Sequence, residues 1–348
     1  MADRYWVGGT GIWADTARWA ATSGGAGGET VPTSADDVYF DSSSNATAYT
    51  FTVNSGSNCR NLSINAPASG KVTWGGGSAL SIYGSLDLAG GTGGITRSYT
   101  GAITFRSTAT GNTITMNGIT LNGDVTFNGI GGGWQHLDAF DMGASPLLTV
   151  TNGAWDTNSQ DIYCGIFLGS NSNVRSVIIG SSVISLNHST VSSFSLSTTT
   201  NLTFSQSGSE IKFNGHGGNF RGGGLTFGTV TLNTSGNDFN VYNSFTCDTF
   251  KNTSTANHTV TITVGKTITV TNWEFNGYNS TNTCLLISSV GGSYWYLSKA
   301  SGCVNATYLR LFDSAAGGGA IWNAFNTKGF SRNTGWNINP KPNISELI

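Results

Sequence analysis

From about Val38 to Phe312 the chain is a succession of short runs that alternate apolar and polar residues, broken every few positions by Gly, Asn or Ser. Tyr49-Thr50-Phe51-Thr52-Val53, Thr113-Ile114-Thr115-Met116 and Thr259-Val260-Thr261-Ile262-Thr263-Val264 show the pattern. Successive side chains of a strand point to opposite faces, so each run supplies one apolar face and one Thr/Ser face. Asn-Gly pairs at 117–118, 122–123, 128–129, 152–153, 214–215 and 276–277 tolerate a positive φ and mark turns. No window carries a 3.6-residue apolar period. The chain is therefore predicted to be nearly all β.

Repetition selects among all-β architectures. An aliphatic residue or Trp, then a polar residue, then Phe recurs at Ile103-Thr104-Phe105, Val125-Thr126-Phe127, Leu202-Thr203-Phe204, Leu225-Thr226-Phe227 and Trp273-Glu274-Phe275. The separations lie near multiples of about 24 residues, a length that suits one coil of a β-solenoid. Ile211-Lys212-Phe213 breaks the spacing. A hairpin-rich sandwich is the competing architecture, but a right-handed parallel β-helix with aromatic-rich end caps fits better.

That reading divides the chain into four parts. Residues 1–37, with Trp6, Trp13 and Trp19 in a Gly-rich frame, form an N-terminal cap or attachment segment over the exposed cross-section of the first coil. Residues 38–312 form the solenoid body, and 313–336, with Trp322 and Trp336, a C-terminal cap. Residues 337–348 read as an extended tail because Pro340 and Pro342 suit neither ladder nor helix, and its Ile344, Leu347 and Ile348 suit an arm lying on a neighbouring subunit.

Charge and composition exclude several functions. The 348 residues carry 16 Lys or Arg and 18 Asp or Glu, a net charge of −2, where a nucleic-acid binder needs a basic face. The 49 glycines come with only 5 prolines, so the excess is not collagen-like, and 10 Trp, 11 Tyr and 18 Phe supply a sizeable core. No stretch approaches the roughly 18 consecutive apolar residues of a membrane helix, so membrane insertion is not expected. The first residues have neither the apolar core nor the cleavage site of a secretory signal. Cys59, Cys164, Cys247, Cys284 and Cys303 are odd in number and far apart, as suits buried free thiols made in a reducing cytoplasm.

The two ends carry a resemblance. Trp6-Val7-Gly8-Gly9-Thr10-Gly11-Ile12-Trp13, Ala17-Arg18-Trp19 and Val31-Pro32-Thr33-Ser34-Ala35-Asp36-Asp37-Val38-Tyr39-Phe40-Asp41 resemble the start of a family of virion structural proteins of tailed bacteriophages. Ser298-Lys299-Ala300-Ser301-Gly302, Asp313-Ser314-Ala315-Ala316-Gly317-Gly318 and Asn333-Thr334-Gly335-Trp336 resemble its end. Related openings also occur in bacterial surface β-helix proteins. The resemblance implies a β-helical component of the virion (tail fibre, tailspike or capsid decoration) made in the host cytoplasm, with other virion proteins as partners. It transfers no catalytic residue. A homotrimer is expected by analogy with fibres and spikes, since a short solenoid buries little area alone.

Chemistry is sparsely marked. The best carboxylate pair for polysaccharide cleavage, the enzymatic alternative, is Asp138 and Asp141 beside Trp134 and His136. Positions three apart on one strand face opposite ways, which spoils the carboxyl separation a glycosidase needs, and Asp156 and Asp161 share the problem. His136, His188, His216 and His258 show no metal-ligand spacing, so no metal, cofactor or catalytic residue is assigned. Contact with host cell-surface polysaccharide is more plausible than cleavage, because aromatic faces stack on sugars while Asn, Ser and Thr donate hydrogen bonds. Trp134, Trp155, Tyr278, Tyr294 and Trp295, each near Gly or Asn, are the candidate binding residues. A bacterial surface adhesin is the remaining alternative.

Overall fold

The structure is a computed structural model that describes residues 2–234, 236 and 238–339. Among these, regular structure is almost entirely strand; the exceptions are single helical turns at Thr16–Arg18 and Gly91–Gly94. The strands pair in parallel with residues roughly one coil away, and the fold is a β-solenoid. The chain divides into two compact units, Met1–Ile184 with Thr198–Ser207, and Ser185–Ser197 with Gly208–Ile348.

In the first unit, one row of strands stacks Val38, Leu62, Leu86 and Ile114 in register, and another stacks Ser57, Leu80, Ile103, Val125 and Leu148. A third row stacks Tyr49, Val72 and Ile95. Alternation explains the core: Ile103, Phe105, Val125, Phe127, Leu148 and Val150 are all buried, while Thr104, Thr126 and Thr149 between them form an outward ladder. Neighbouring coils lie about 4.8 Å apart, so like aromatics at one register position stack. Phe105 and Phe127 do so with centroids 4.9 Å apart and planes 7° from parallel.

The first of the recurring cassettes thus sits on the second as the spacing predicts. The later three do not continue that stack. Leu202 pairs with Arg175, Thr226 with Thr246 and Trp273 with Phe250. Coil length varies, being for example 19 residues between Leu148 and Phe167 and 28 between Leu86 and Ile114, because loops of different size join the same strands.

Trp6, Trp13 and Trp19 are fully buried in one cluster with Phe40 and Phe51. Trp19 meets Trp6 at 5.1 Å and Trp13 at 5.0 Å, edge to face. Two of the three indole N–H groups are partnered, Trp6 donating to Gly9 O and Trp19 to Trp13 O, while that of Trp13 is buried without an acceptor. Trp19–Ala20 runs antiparallel to Asp3–Trp6, unlike the parallel ladder that Asp3–Trp6 makes with Asp37–Phe40.

In the second unit, one row runs through Ser192–Ser195, Gly218–Arg221, Phe239–Val241, His258–Ile262, Cys284–Ser288 and Leu309–Phe312. Another runs from Glu210–Phe213 through Thr226–Leu232, Phe245–Asn252 and Thr267–Glu274 to Trp295–Ser298 and Ser314–Gly317. Parallel pairing also continues from Cys303–Thr307 through Ile321–Phe325 to Trp336–Ile338, beyond residue 312 where the sequence suggested that the body ends. Trp322 packs on Trp336 at 5.2 Å and on Trp273 at 5.6 Å. Asn337 and Ile338 are strand residues paired with Asn323 and Ala324, so the expected tail begins inside the ladder. Its Pro340, Pro342, Ile344, Leu347 and Ile348 lie outside the described residues.

One buried group makes the first unit acid-sensitive. His136 is fully buried, and its Nε2 accepts from Trp155 Nε1–H at 2.8 Å, which leaves the neutral ring's proton on an unpartnered Nδ1. Burial pushes its pKa down from 6.5 to about 3. The folded value lies below the unfolded one, so stability is complete above pH 6.5 and falls as pH drops toward 3. Urea titrations at pH 7 and pH 4.5 are expected to differ by about 2–3 kcal/mol through this residue, and His136→Gln, which cannot titrate, should flatten that part of the slope.

Candidate functional site

Three of the five candidate aromatics belong to the core. Trp134, Trp155 and Trp295 are at most 2% exposed, and their indole N–H groups donate to Gly84 O, His136 Nε2 and Phe312 O. They offer no face to a sugar, which corrects the expectation that nearby glycines placed them on loops. Trp134 lies inside because Gly129 and Gly132 vacate space for it: a Cβ at Gly129 would stand 2.5 Å from the indole and 1.9 Å from Ser107 O. Tyr278 and Tyr294 are exposed, Tyr278 by 59% in a turn closed by Tyr278 N–H donating to Asn282 O.

The acids are engaged in the scaffold. Asp138 accepts from Met116 N–H and Asn117 N–H, capping the neighbouring coil. Asp141 accepts from Thr120 Oγ1–H and Gly143 N–H, Asp156 from Gln135 and Asn158 N–H, and Asp161 from Val183 N–H. Among the described residues no three His, Cys, Asp or Glu side chains group so as to hold a metal ion. Cys59, Cys164, Cys247 and Cys284 are buried and Cys303 is exposed. Burial pushes the Cys164 thiol up to about 12, far from nucleophilic use near neutral pH. Cys284 Sγ sits 3.2 Å from His258 Nε2, but both are buried and His258 is held against Ala256 O through Nδ1. That pair is core filling between adjacent coils, at register partners His258 and Cys284.

An extended concave surface lies on the second unit. Three hollows of about 490, 460 and 540 Å³ follow one another along its coils. Asp238 lines both the first and the second, and the second and third meet at the turn that carries Thr281 and Ser280. Register explains the alignment. Phe239, Val260, Leu286 and Leu311 stack inward and are buried, so the residues before them, Asp238, Thr259, Leu285 and Arg310, form a ladder on the outside.

The groove is lined with polar groups that already show a cross-coil pattern. Asn240 Nδ2 donates to Asn219 Oδ1 at 3.3 Å from the next coil. Asn257 Oδ1 accepts from Thr283 N–H at 2.7 Å. Lys328 Nζ donates to Ser280 O at 2.8 Å, which brings its ammonium to the junction of the last two hollows. Tyr278 stands in the same 278–282 turn. None of the five candidate aromatics lines these hollows, and unequal coil lengths hide in the sequence that Asp238, Thr259, Leu285 and Arg310 are neighbours. An open trough of amides, hydroxyls and a few charges can hold an extended polar polymer. No protein-family model, curated protein or solved structure matches the chain.

Proposed function

We propose that the protein is a structural component of a bacteriophage particle, a tail fibre, tailspike or capsid decoration, whose solenoid contacts host-surface glycan. The observation that carries the glycan contact is the polar groove of the second unit, an outward ladder across several coils that carries the cross-coil pairs Asn219–Asn240 and Asn257–Thr283. The coil spacing of about 4.8 Å is close to the length of one pyranose residue, so a polysaccharide running along the coils meets a new outward side chain at each sugar. The resemblance of both chain ends to phage virion proteins supports the particle assignment. Mass spectrometry and immunogold labelling of purified particles of the encoding phage should find the chain in the virion; particles without it would overturn the reading.

Association into a homotrimer belongs to the same proposal. Light scattering on the purified protein is expected to give about three times 36.3 kDa. A clean monomer at micromolar concentration would refute it.

A further inference from the structure

We infer that the Arg310/Lys328 end of this groove selects an anionic polysaccharide, one bearing carboxylate or phosphate groups along the chain; this rests on the glycan reading above. Arg310 and Lys328 are exposed, line adjoining hollows and stand on neighbouring coils, with Leu311 paired to Phe330. Neither makes an ion pair among the described residues, although five other ion pairs are present there.

Asp238, a carboxylate that lines the same hollow as Arg310, makes no ion pair with it, and the backbones of the two residues stand three coil steps apart along the ladder, about 14 Å. Two cations without an ion pair among the described residues therefore face the trough at one end. The guanidinium offers a planar fork suited to two oxygens of a carboxylate or phosphate. The ammonium, anchored on Ser280 O with donors to spare, offers a point charge one coil further. Thr259, Thr281 and Thr283 beside them supply hydroxyls for the sugar itself. A neutral glycan would leave both cations without a counterpart, whereas an acidic one gains from each.

Isothermal titration of the full-length protein with tetragalacturonate, tetrasialate and a short poly(ribitol phosphate), against maltotetraose and a dextran oligomer, tests this. At least one anionic probe should bind at least tenfold tighter than either neutral one and weaken as salt rises. Arg310→Gln should weaken that probe about tenfold, and Arg310→Gln with Lys328→Gln about a hundredfold, with unchanged circular dichroism because both side chains are exposed. The strongest anionic probe separates carboxylate from phosphate as the recognised group. Neutral oligomers that bind as tightly, with affinity indifferent to both substitutions, would overturn the anionic preference while leaving the glycan reading in place. Binding of none of the five would overturn both.

Discussion

Trp155→Ala is expected to destabilise the first unit by about 3–5 kcal/mol without touching glycan recognition. The indole is fully buried against Phe167 at 5.4 Å, His136 at 5.9 Å and Phe127 at 6.2 Å. Truncation opens a cavity in a stack whose coils cannot close up, because each is fixed by ladder hydrogen bonds to the next. It also takes away the N–H that His136 Nε2 accepts, leaving a buried imidazole with neither nitrogen partnered. Trp155→Phe keeps much of the volume and loses only the hydrogen bond, so it should fall between wild type and alanine. Urea denaturation followed by tryptophan fluorescence and circular dichroism gives the comparison. A Trp155→Ala protein of unchanged stability that no longer binds any glycan would return this residue to the surface role that its sequence context suggested.

That contrast shows which features the sequence reveals. Alternation with period 2 is a local property, so inward Phe105 and outward Thr104 are legible from their own neighbours. Stacking of Ile103-Thr104-Phe105 on Val125-Thr126-Phe127 is legible too, because the coil between them carries no long insertion. From Leu202 to Leu225 the same motif misleads, since those two fall in different compact units. Glycine misleads in another way. Beside Trp134 it does not mark an exposed loop; Gly129, Gly132 and Gly153 let one coil pass within carbonyl distance of the next, and a Cβ at Gly153 would stand 2.4 Å from Gly129 O. The groove was invisible for the reason the cassette count failed. Steps of 26 and 25 residues join Thr259 to Leu285 and Leu285 to Arg310, and only three-dimensional register makes them one ladder.

The second large effect is expected at Arg175, a cation that the apolar pattern around Arg175-Ser176-Val177-Ile178-Ile179 would not place inside. It is 2% exposed and occupies an inward position, stacked between Gly153 and Leu202. No carboxylate pairs with it among the described residues. Instead its guanidinium donates to four carbonyls: Gly169 O at 2.6 Å, Asn173 O at 3.0 Å, Thr200 O at 3.1 Å, and Thr198 O. Burial pulls its pKa down from the ordinary value, yet a guanidinium starts so high that it stays charged at neutral pH. The four acceptors come from two segments, 169–173 and 198–200, that ladder pairing alone does not join. Arg175→Met should therefore cost about 3–5 kcal/mol in all, at about 1–3 kcal/mol for each buried carbonyl left without a donor, and loosen the 198–200 segment, which then keeps Thr198 N–H on Ser170 Oγ and, beside it, Asn201 Nδ2 on Ser172 O as side-chain ties. Arg175→Lys should recover part of this, because three ammonium donors cannot span four carbonyls fixed for a planar fork. Limited proteolysis should then cut the Met variant within Thr198–Thr200 under conditions that leave wild type whole, with the Lys variant between them. Equal resistance of all three proteins, with equal urea midpoints, would show that the coil stack holds the segment without the clamp.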